Sequence, residues 1–152
     1  MGISDIDALL GAVGPLDDAI LAVVRTGEDA WTLRFEDLDV DVEFDAQSER
    51  LMLSAVVGPV PATRAAKIHE MLLIYGLIWR ETGAVRLALT GPGGEAVQMV
   101  DLFAPQASPE ALVVLASNLA ERTRIWRDLI ADDPDAPDGA ADGAPDMNMI
   151  RV

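Results

Sequence analysis

The stretch that decides the fold is DLDVDVEFD, residues 37–45, in which an acidic residue alternates with an apolar one without a break. A period of two places every apolar side chain on one face of a β-strand and every acid on the other. The same alternation precedes the stretch within residues 31–35 and follows it within residues 51–57. These three strands predict an antiparallel sheet with one face against a core and the other in water.

Further elements can be placed on either side of these strands. Apolar residues at helical spacing predict helices over residues 4–14, 62–81 and 108 to about 130. Two more strands, 85–89 and 96–103, form a predicted hairpin, whereas residues 16–24 fit either a helical turn or a strand. The order is helix, three strands, helix, two strands, helix. This order predicts an α+β fold with three helices on a five-stranded antiparallel sheet.

The chain is strongly acidic, since 26 Asp and Glu against 11 Lys and Arg give a net charge of −15. An acidic surface repels nucleic-acid phosphates and anionic lipid headgroups, so we expect neither a nucleic-acid nor a membrane partner. The longest apolar run, residues 71–79, is shorter than the roughly 20 residues of a membrane helix. With no signal-peptide pattern at the start, a cytoplasmic location is expected.

The composition changes at residue 132. Residues 132–146 read DDPDAPDGAADGAPD, a run with no apolar residue larger than Ala or Pro. Such a run cannot bury enough apolar surface to offset the entropy lost on ordering. We therefore expect one α+β domain over residues 1–131 and an acidic, disordered tail rich in Pro, Ala and Gly over residues 132–152.

No pattern in the chain is typical of catalysis or of metal binding. Cysteine is absent and His69 is the only histidine, so thiolate and transition-metal sites are not expected. An EF-hand beginning at Asp37 would need Gly and Glu where the chain has Val42 and Ser48. The glycine-rich residues 91–94 lack the phosphate-loop pattern and indicate a hairpin turn. We expect no metal, no cofactor and no enzymatic activity.

Apolar residues exceed what a small core needs at two places. Residues 71–79, MLLIYGLIW, surround a whole helix, so this helix is either covered within the monomer or meets a second subunit, and we favour the dimer. If Leu51, Leu53 and Ala55 face inward, Met52 and Val56 face outward. Val100 and Leu102 give the last strand a similar second apolar face. Aligned, these residues would form a groove for an apolar peptide segment.

Several stretches, taken in order, resemble the class I type III secretion chaperones, the CesT/Tir-chaperone family. They span about residues 4–131 and include TLRF at 32–35, LMLSAVVGPVP at 51–61, MLL at 71–73, VRLAL at 85–89 and the pair Trp126-Arg127. The resemblance implies a homodimeric chaperone that works without ATP. It also implies that the chaperone holds an N-terminal segment of a secreted effector in extended, export-competent form.

The resemblance also implies positions for two surfaces. The predicted client surface consists of Ile6, Leu9, Leu10, Val13, Met52 and Val56. The predicted dimer interface consists of Ile68, Leu72, Tyr75 and Trp79. One alternative is a regulatory or adaptor domain of the same fold that binds a folded protein outside any secretion system. A third hypothesis is a small enzyme that uses two of the many carboxylates.

Overall fold

An antiparallel sheet of six strands is the centre of the structure, a computed structural model that describes residues 1–132. The strands are β1 Ala22–Arg25, β2 Ala30–Arg34, β3 Asp39–Asp45, β4 Arg50–Pro59, β5 Arg86–Leu89 and β6 Glu95–Phe103. Their spatial order is β1-β2-β3-β4-β6-β5, and every neighbouring pair is antiparallel. The helices are α1 Ile3–Gly11, α2 Ala65–Leu77 and α3 Pro109–Ala131.

The predicted α+β class, with three helices on an antiparallel sheet, is confirmed, but the sheet has six strands and not five. The additional strand β1 lies in the segment for which helix and strand were both open. It is an edge strand of four residues that pairs only with β2, and Val23 and Val24 favour the extended backbone. The predicted tail begins at Asp132, and its remainder lies outside the described residues.

One face of the sheet, here called the inner face, packs against the helices. The alternation in β3 is complete: Val40, Val42 and Phe44 are buried and the four acids between them are exposed. Helix α3 covers this face, and Leu112, Leu119 and Trp126 on its apolar stripe are fully buried. The helix begins as its sequence predicts, because the Ser108 hydroxyl accepts a hydrogen bond from the Ala111 N–H at 3.1 Å and Pro109 follows.

Helix α2 is shorter than predicted, since the α-helix covers residues 65–77 and not 62–81. Residues 78–84 form turns between the helix and β5. The buried guanidinium of Arg122 on α3 donates a hydrogen bond of 2.7 Å to the Thr82 carbonyl and so holds this turn. Gly83, with φ of +65°, ends the turn and not the helix.

Candidate partner-binding surfaces

The face of the sheet that no helix of residues 1–132 covers, here called the open face, carries an apolar strip. Met52 and Val56 of β4 lie on this face, as the alternation of that strand predicts. They pair across the sheet with Asp101 and Val97 of β6, and Met99 lies between these two partners. The strip therefore consists of Met52, Val56, Val97 and Met99. Val56 is 38% exposed, Met52 and Met99 are half-buried, and Val97 is buried by its neighbours.

The prediction that Val100 and Leu102 face outward is wrong. Val100 is buried opposite Leu53, and Leu102 pairs with Leu51, so both belong to the inner face. The register follows from Gln98, a buried polar residue whose side-chain amide donates a hydrogen bond of 2.8 Å to the Thr123 hydroxyl on α3. Because Gln98 faces inward, Val97 and Met99 must face outward.

The open face also carries an acidic strip, the side chains of Asp39, Asp41, Glu43 and Asp45 on β3. None of the four is in an ion pair with a described residue. Asp41 accepts a hydrogen bond of 2.7 Å from the Thr32 hydroxyl. The Ser48 hydroxyl and the Gln47 N–H bind the carboxylate of Asp45 and lower its pKa. The strip thus presents four carboxylates that form no ion pair with a cation of residues 1–132.

Two arginines on the same face are paired with an acid outside the acidic strip. Arg50 on β4 and Arg86 on β5 both bind Asp101 on β6, at N–O distances of 2.6 and 2.8 Å. One carboxylate therefore holds two guanidiniums, and neither of them reaches β3. Arg34 on β2 lies opposite Asp39 without an ion pair between them in the described part of the chain. The acidic and apolar strips run side by side on adjacent strands.

A groove of about 810 Å³ crosses the open face from β2 to β5. Its walls include Glu43 and Asp45 from the acidic strip and Met52 from the apolar strip. Asp101 and its two arginines close the far side. The groove is therefore lined by one end of each strip, with two carboxylates and one apolar side chain.

One ion pair and several hydrogen bonds fix α3 to the sheet. Their partners are Asp37, which precedes β3, and the last part of β4. Arg124 binds Asp37 through two N–O contacts of 2.8 Å, and this hydrogen bonding lowers the pKa of Asp37 to about 2. Arg127 donates hydrogen bonds to the carbonyls of Val56 and Val57, where the register of β4 against β6 shifts at a β-bulge between Val56 and Gly58. The Trp126-Arg127 pair is therefore structural: Trp126 fills the core and Arg127 caps the bulge.

The structure places most of the predicted client residues of helix α1 in the core. Ile6, Leu10 and Val13 have no exposed surface, and only Leu9 is partly exposed. The indole N–H of Trp31, a buried residue of the inner face, donates a hydrogen bond of 2.8 Å to Asp7 and holds α1 there. Leu9 is thus in the helix layer, whereas Met52 and Val56 are on the opposite side of the sheet.

Three of the four predicted dimer residues point into the monomer. Ile68, Leu72 and Tyr75 are buried on the side of α2 that faces the core. Tyr75 packs edge-on against Trp126 with ring centroids 5.4 Å apart, and burial raises the pKa of its hydroxyl. Only Trp79, at 55% exposure, is available to a second subunit.

The other side of α2 is apolar and exposed, which the sequence interpretation did not assign to particular residues. Leu73 and Leu77 are 79% and 80% exposed, and Ile74 and Trp79 lie beside them. A smaller groove of about 280 Å³ between α2 and β5 is lined by Leu72, Leu73 and residues 87–89. We call Leu73, Ile74, Leu77 and Trp79 the exposed face of α2. The i, i+4 spacing of the leucines is the sequence signal that identifies it.

Residues 1–132 lack the features of two other kinds of site. No three His, Cys, Asp or Glu side chains in this range lie close enough together to hold a metal ion. None of its helices combines the length and the hydropathy that crossing a bilayer requires.

The arrangement of helices and strands is shared with solved structures. A chain of the ExsC–ExsE complex superposes with a TM-score of 0.70 at 19% identity, covering 84% of this chain and 95% of that one. A chain of the HopA1–SchA chaperone–effector complex gives 0.67 at 18% identity, covering 84% and 98%. The Yersinia pestis type III secretion chaperone SycH, in complex with a fragment of YscM2, gives 0.60 at 15%, covering 78% and 97%.

The chain has the class I type III secretion chaperone fold. The predicted resemblance in fold is thereby confirmed over nearly the whole length of these neighbours. Neither a protein-family model nor a curated protein sequence matches the chain. At identities below 20% the likeness is one of fold, and function has to be argued from the surfaces.

Proposed function

We propose that this chain is a type III secretion chaperone that binds an N-terminal segment of a secreted effector and keeps it soluble and export-competent without ATP. The observation that carries the proposal is the open face, where the apolar strip of β4 and β6 borders a groove that no part of residues 1–132 fills. Neighbours with the same fold include a chaperone–effector complex and a type III secretion chaperone. Apolar strips on exposed sheet faces are typical docking surfaces for peptide segments.

The client surface in this proposal is centred on Met52 and Val56, with Val97 and Met99 beside them. Leu9 is a second, separate contact in the helix layer. A disordered segment that binds such a surface loses conformational entropy, so its affinity depends on burying apolar side chains. A binding role of this kind needs no catalytic residue and no cofactor.

We further propose that two copies pair in the cytoplasm through the exposed face of α2. Three large apolar side chains on one helix face, with Trp79 just beyond the end of the helix, exceed what a monomer normally exposes in one place. A two-fold dimer brings the same patch of both subunits together, so each leucine is buried twice. Trp79 remains from the predicted interface, and Leu73, Ile74 and Leu77 take the place of Ile68, Leu72 and Tyr75.

Capture from the native cell tests the chaperone function. A tagged chain is purified, the co-purifying protein is identified by mass spectrometry, and its N-terminal fragment is tested for binding. We expect one protein whose N-terminal fragment is unfolded by hydrogen exchange when it is free. Met52→Glu with Val56→Glu should abolish this binding and leave the subunit mass unchanged, because both residues are remote from α2.

A matched control adds the same two charges elsewhere. Leu21→Glu with Val114→Glu replaces two apolar residues that are 66% and 58% exposed and lie outside both surfaces. This variant should bind the fragment as the wild type does. A bound partner that is folded, and whose binding survives Met52→Glu with Val56→Glu, would instead favour the adaptor function.

A further inference from the structure

The two strips of the open face differ in what they can recognise. The apolar strip of β4 and β6 can bury side chains of any apolar segment. The acidic strip of β3 adds a requirement on charge, since its four carboxylates have no ion pair within residues 1–132. A segment that covers the apolar strip comes within reach of the acidic strip, because neighbouring strands lie only about 4.8 Å apart.

Of the cations near the acidic strip, Arg34 lies opposite Asp39 at one end without an ion pair within residues 1–132, and two others are committed elsewhere on the same face. Arg50 and Arg86 are both held by Asp101. Arg50 lies opposite Asp45 in the strand register, yet its guanidinium turns away to β6. The side of the groove formed by Glu43 and Asp45 is therefore negative, and a ligand that brought a carboxylate there would meet like charge.

The dimensions of the open face fit a helix lying along the strips. The strips of β3, β4 and β6 together are about 10 Å wide, which is about the diameter of a helix with its side chains. Met52 and Val56 are four residues apart on a strand, about 13 Å, a rise that a helix makes in about nine residues. A helix in this place can direct one stripe of side chains at the apolar strip and the adjacent stripe at β3.

We propose that the open face selects a client segment that is an amphipathic helix with an apolar stripe and a flanking row of Lys or Arg. This proposal rests on the proposed function, and it specifies the chemistry of the client at the same surface. The apolar stripe covers Met52, Val56, Val97 and Met99. The basic row faces Asp41, Glu43 and Asp45, where it supplies the cations that the chain does not.

Two synthetic peptides test the charge requirement. Both are 18-residue sequences (about five helical turns) with Leu at the same helical spacing, and their flanking row is Lys in one and Glu in the other. Lys and Glu have nearly equal helix propensity, so the peptides differ only in charge. Fluorescence anisotropy at low salt should show the Lys peptide binding at least about tenfold more tightly, and the preference should vanish near 1 M salt, where screening is nearly complete.

Variants of the protein assign the effect to β3. Asp41→Asn with Glu43→Gln removes two charges without changing shape, and it keeps the Asp41 oxygen that accepts from Thr32. This variant should lose most of the preference for the Lys peptide. The control Glu121→Gln with Asp128→Asn removes two charges from exposed positions on α3 and should keep the preference. An unchanged preference in the β3 variant would overturn the proposal.

The remaining outcomes separate the charge requirement from the chaperone function. Equal binding of the two peptides, abolished in both by Met52→Glu with Val56→Glu, would overturn the charge requirement while leaving the apolar docking surface intact. Failure of both peptides, with the captured effector fragment still bound at the open face, would overturn the helical client and leave the chaperone function standing. A preference that persists at high salt would also contradict electrostatic selection.

Discussion

Replacement of Leu73 by Glu tests whether the exposed face of α2 joins two subunits. Complete burial of a leucine contributes roughly 1.5–3 kcal/mol. Leu73 has 79% of its surface exposed in the monomer. Burying that share contributes roughly 1–2.5 kcal/mol per subunit, and two-fold symmetry doubles it to roughly 2–5 kcal/mol. Leu73→Glu should therefore raise the dimer dissociation constant by a factor of roughly 30 to several thousand.

Analytical ultracentrifugation over a wide range of concentrations measures this change directly. The substitution should leave the monomer folded, because Glu and Leu have similar helix propensity and surface changes alter stability by less than about 0.5 kcal/mol. Val114→Glu is the matched control, since Val114 is also an exposed apolar residue on a helix. It should dimerise as the wild type does.

Two results would refute the reasoning. A wild-type chain that stays monomeric at every concentration would show that the exposed face of α2 does not pair with itself. A Leu73→Glu chain that dimerises with the wild-type constant would place the interface on another surface. β5 is an edge strand of the sheet and contacts α2, so its free edge is then the next surface to test.

Three further predictions concern the monomer. Leu72→Ala should lower the free energy of unfolding in urea by roughly 2–5 kcal/mol because Leu72 is buried; a loss below 1 kcal/mol, on the order expected for a surface site, would contradict its placement. Tyr75→Phe should raise that free energy by about 1 kcal/mol, because the buried hydroxyl has no hydrogen-bond partner within residues 1–132, and a loss of stability would argue against this. Arg124→Gln should raise the pKa of Asp37 from about 2 towards 3.8 in an NMR titration. Since the folded-state pKa is the lower one, the contribution of Asp37 to stability is complete above pH 3.8 and is lost as the pH falls towards 2. A carboxyl that still titrated near pH 2 in the variant would show that Arg124 is not the cause.

The strands that the sequence predicted correctly share one physical feature. In β3 each residue is either buried or exposed, so apolar and acidic residues alternate with a period of two in the amino-acid sequence. β1 lacks this contrast, because Ala22, Val23 and Val24 are all half-buried at the edge of the sheet. A strand without a wet and a dry face leaves no alternation in its sequence, and so residues 16–24 remained ambiguous.

Helix α2 shows what periodicity alone cannot decide. Ile68, Leu72 and Tyr75 form one apolar stripe at helical spacing, and Leu73 and Leu77 form another. Both stripes satisfy the same rule, so the sequence predicts two apolar faces without saying which one the monomer uses. The position of Trp126 on α3 decides it, since its ring packs against Tyr75. That contact joins residues 51 positions apart and leaves no local signal.

In strand β6 the predicted outward orientation of Val100 and Leu102 was wrong for a related reason. Its run Ala96-Val97-Gln98-Met99-Val100 has apolar residues on both faces, and Gln98 is the only polar residue among the five. A glutamine is normally expected on the wet face, which would turn Val97 and Met99 inward. Here Thr123 supplies the hydrogen bond that allows Gln98 to be buried. The apolar strip of the open face therefore depends on a partner from a helix 25 residues away.

The two proposed surfaces lie on opposite layers of the molecule, and this separation makes each one testable without the other. Met52 and Val56 are on the open face, whereas Leu73 and Leu77 are on a helix that packs beside β5 and against α3. A dimer through α2 would therefore leave the open face of each subunit uncovered. One dimer could then bind two client segments, one on each subunit. The Leu73→Glu monomer should then bind the effector fragment with one site per chain, and Met52→Glu with Val56→Glu should yield a dimer that binds none. If one variant abolished both properties, the client and the second subunit would have to share a surface, and the assignment of the open face to the client would be wrong.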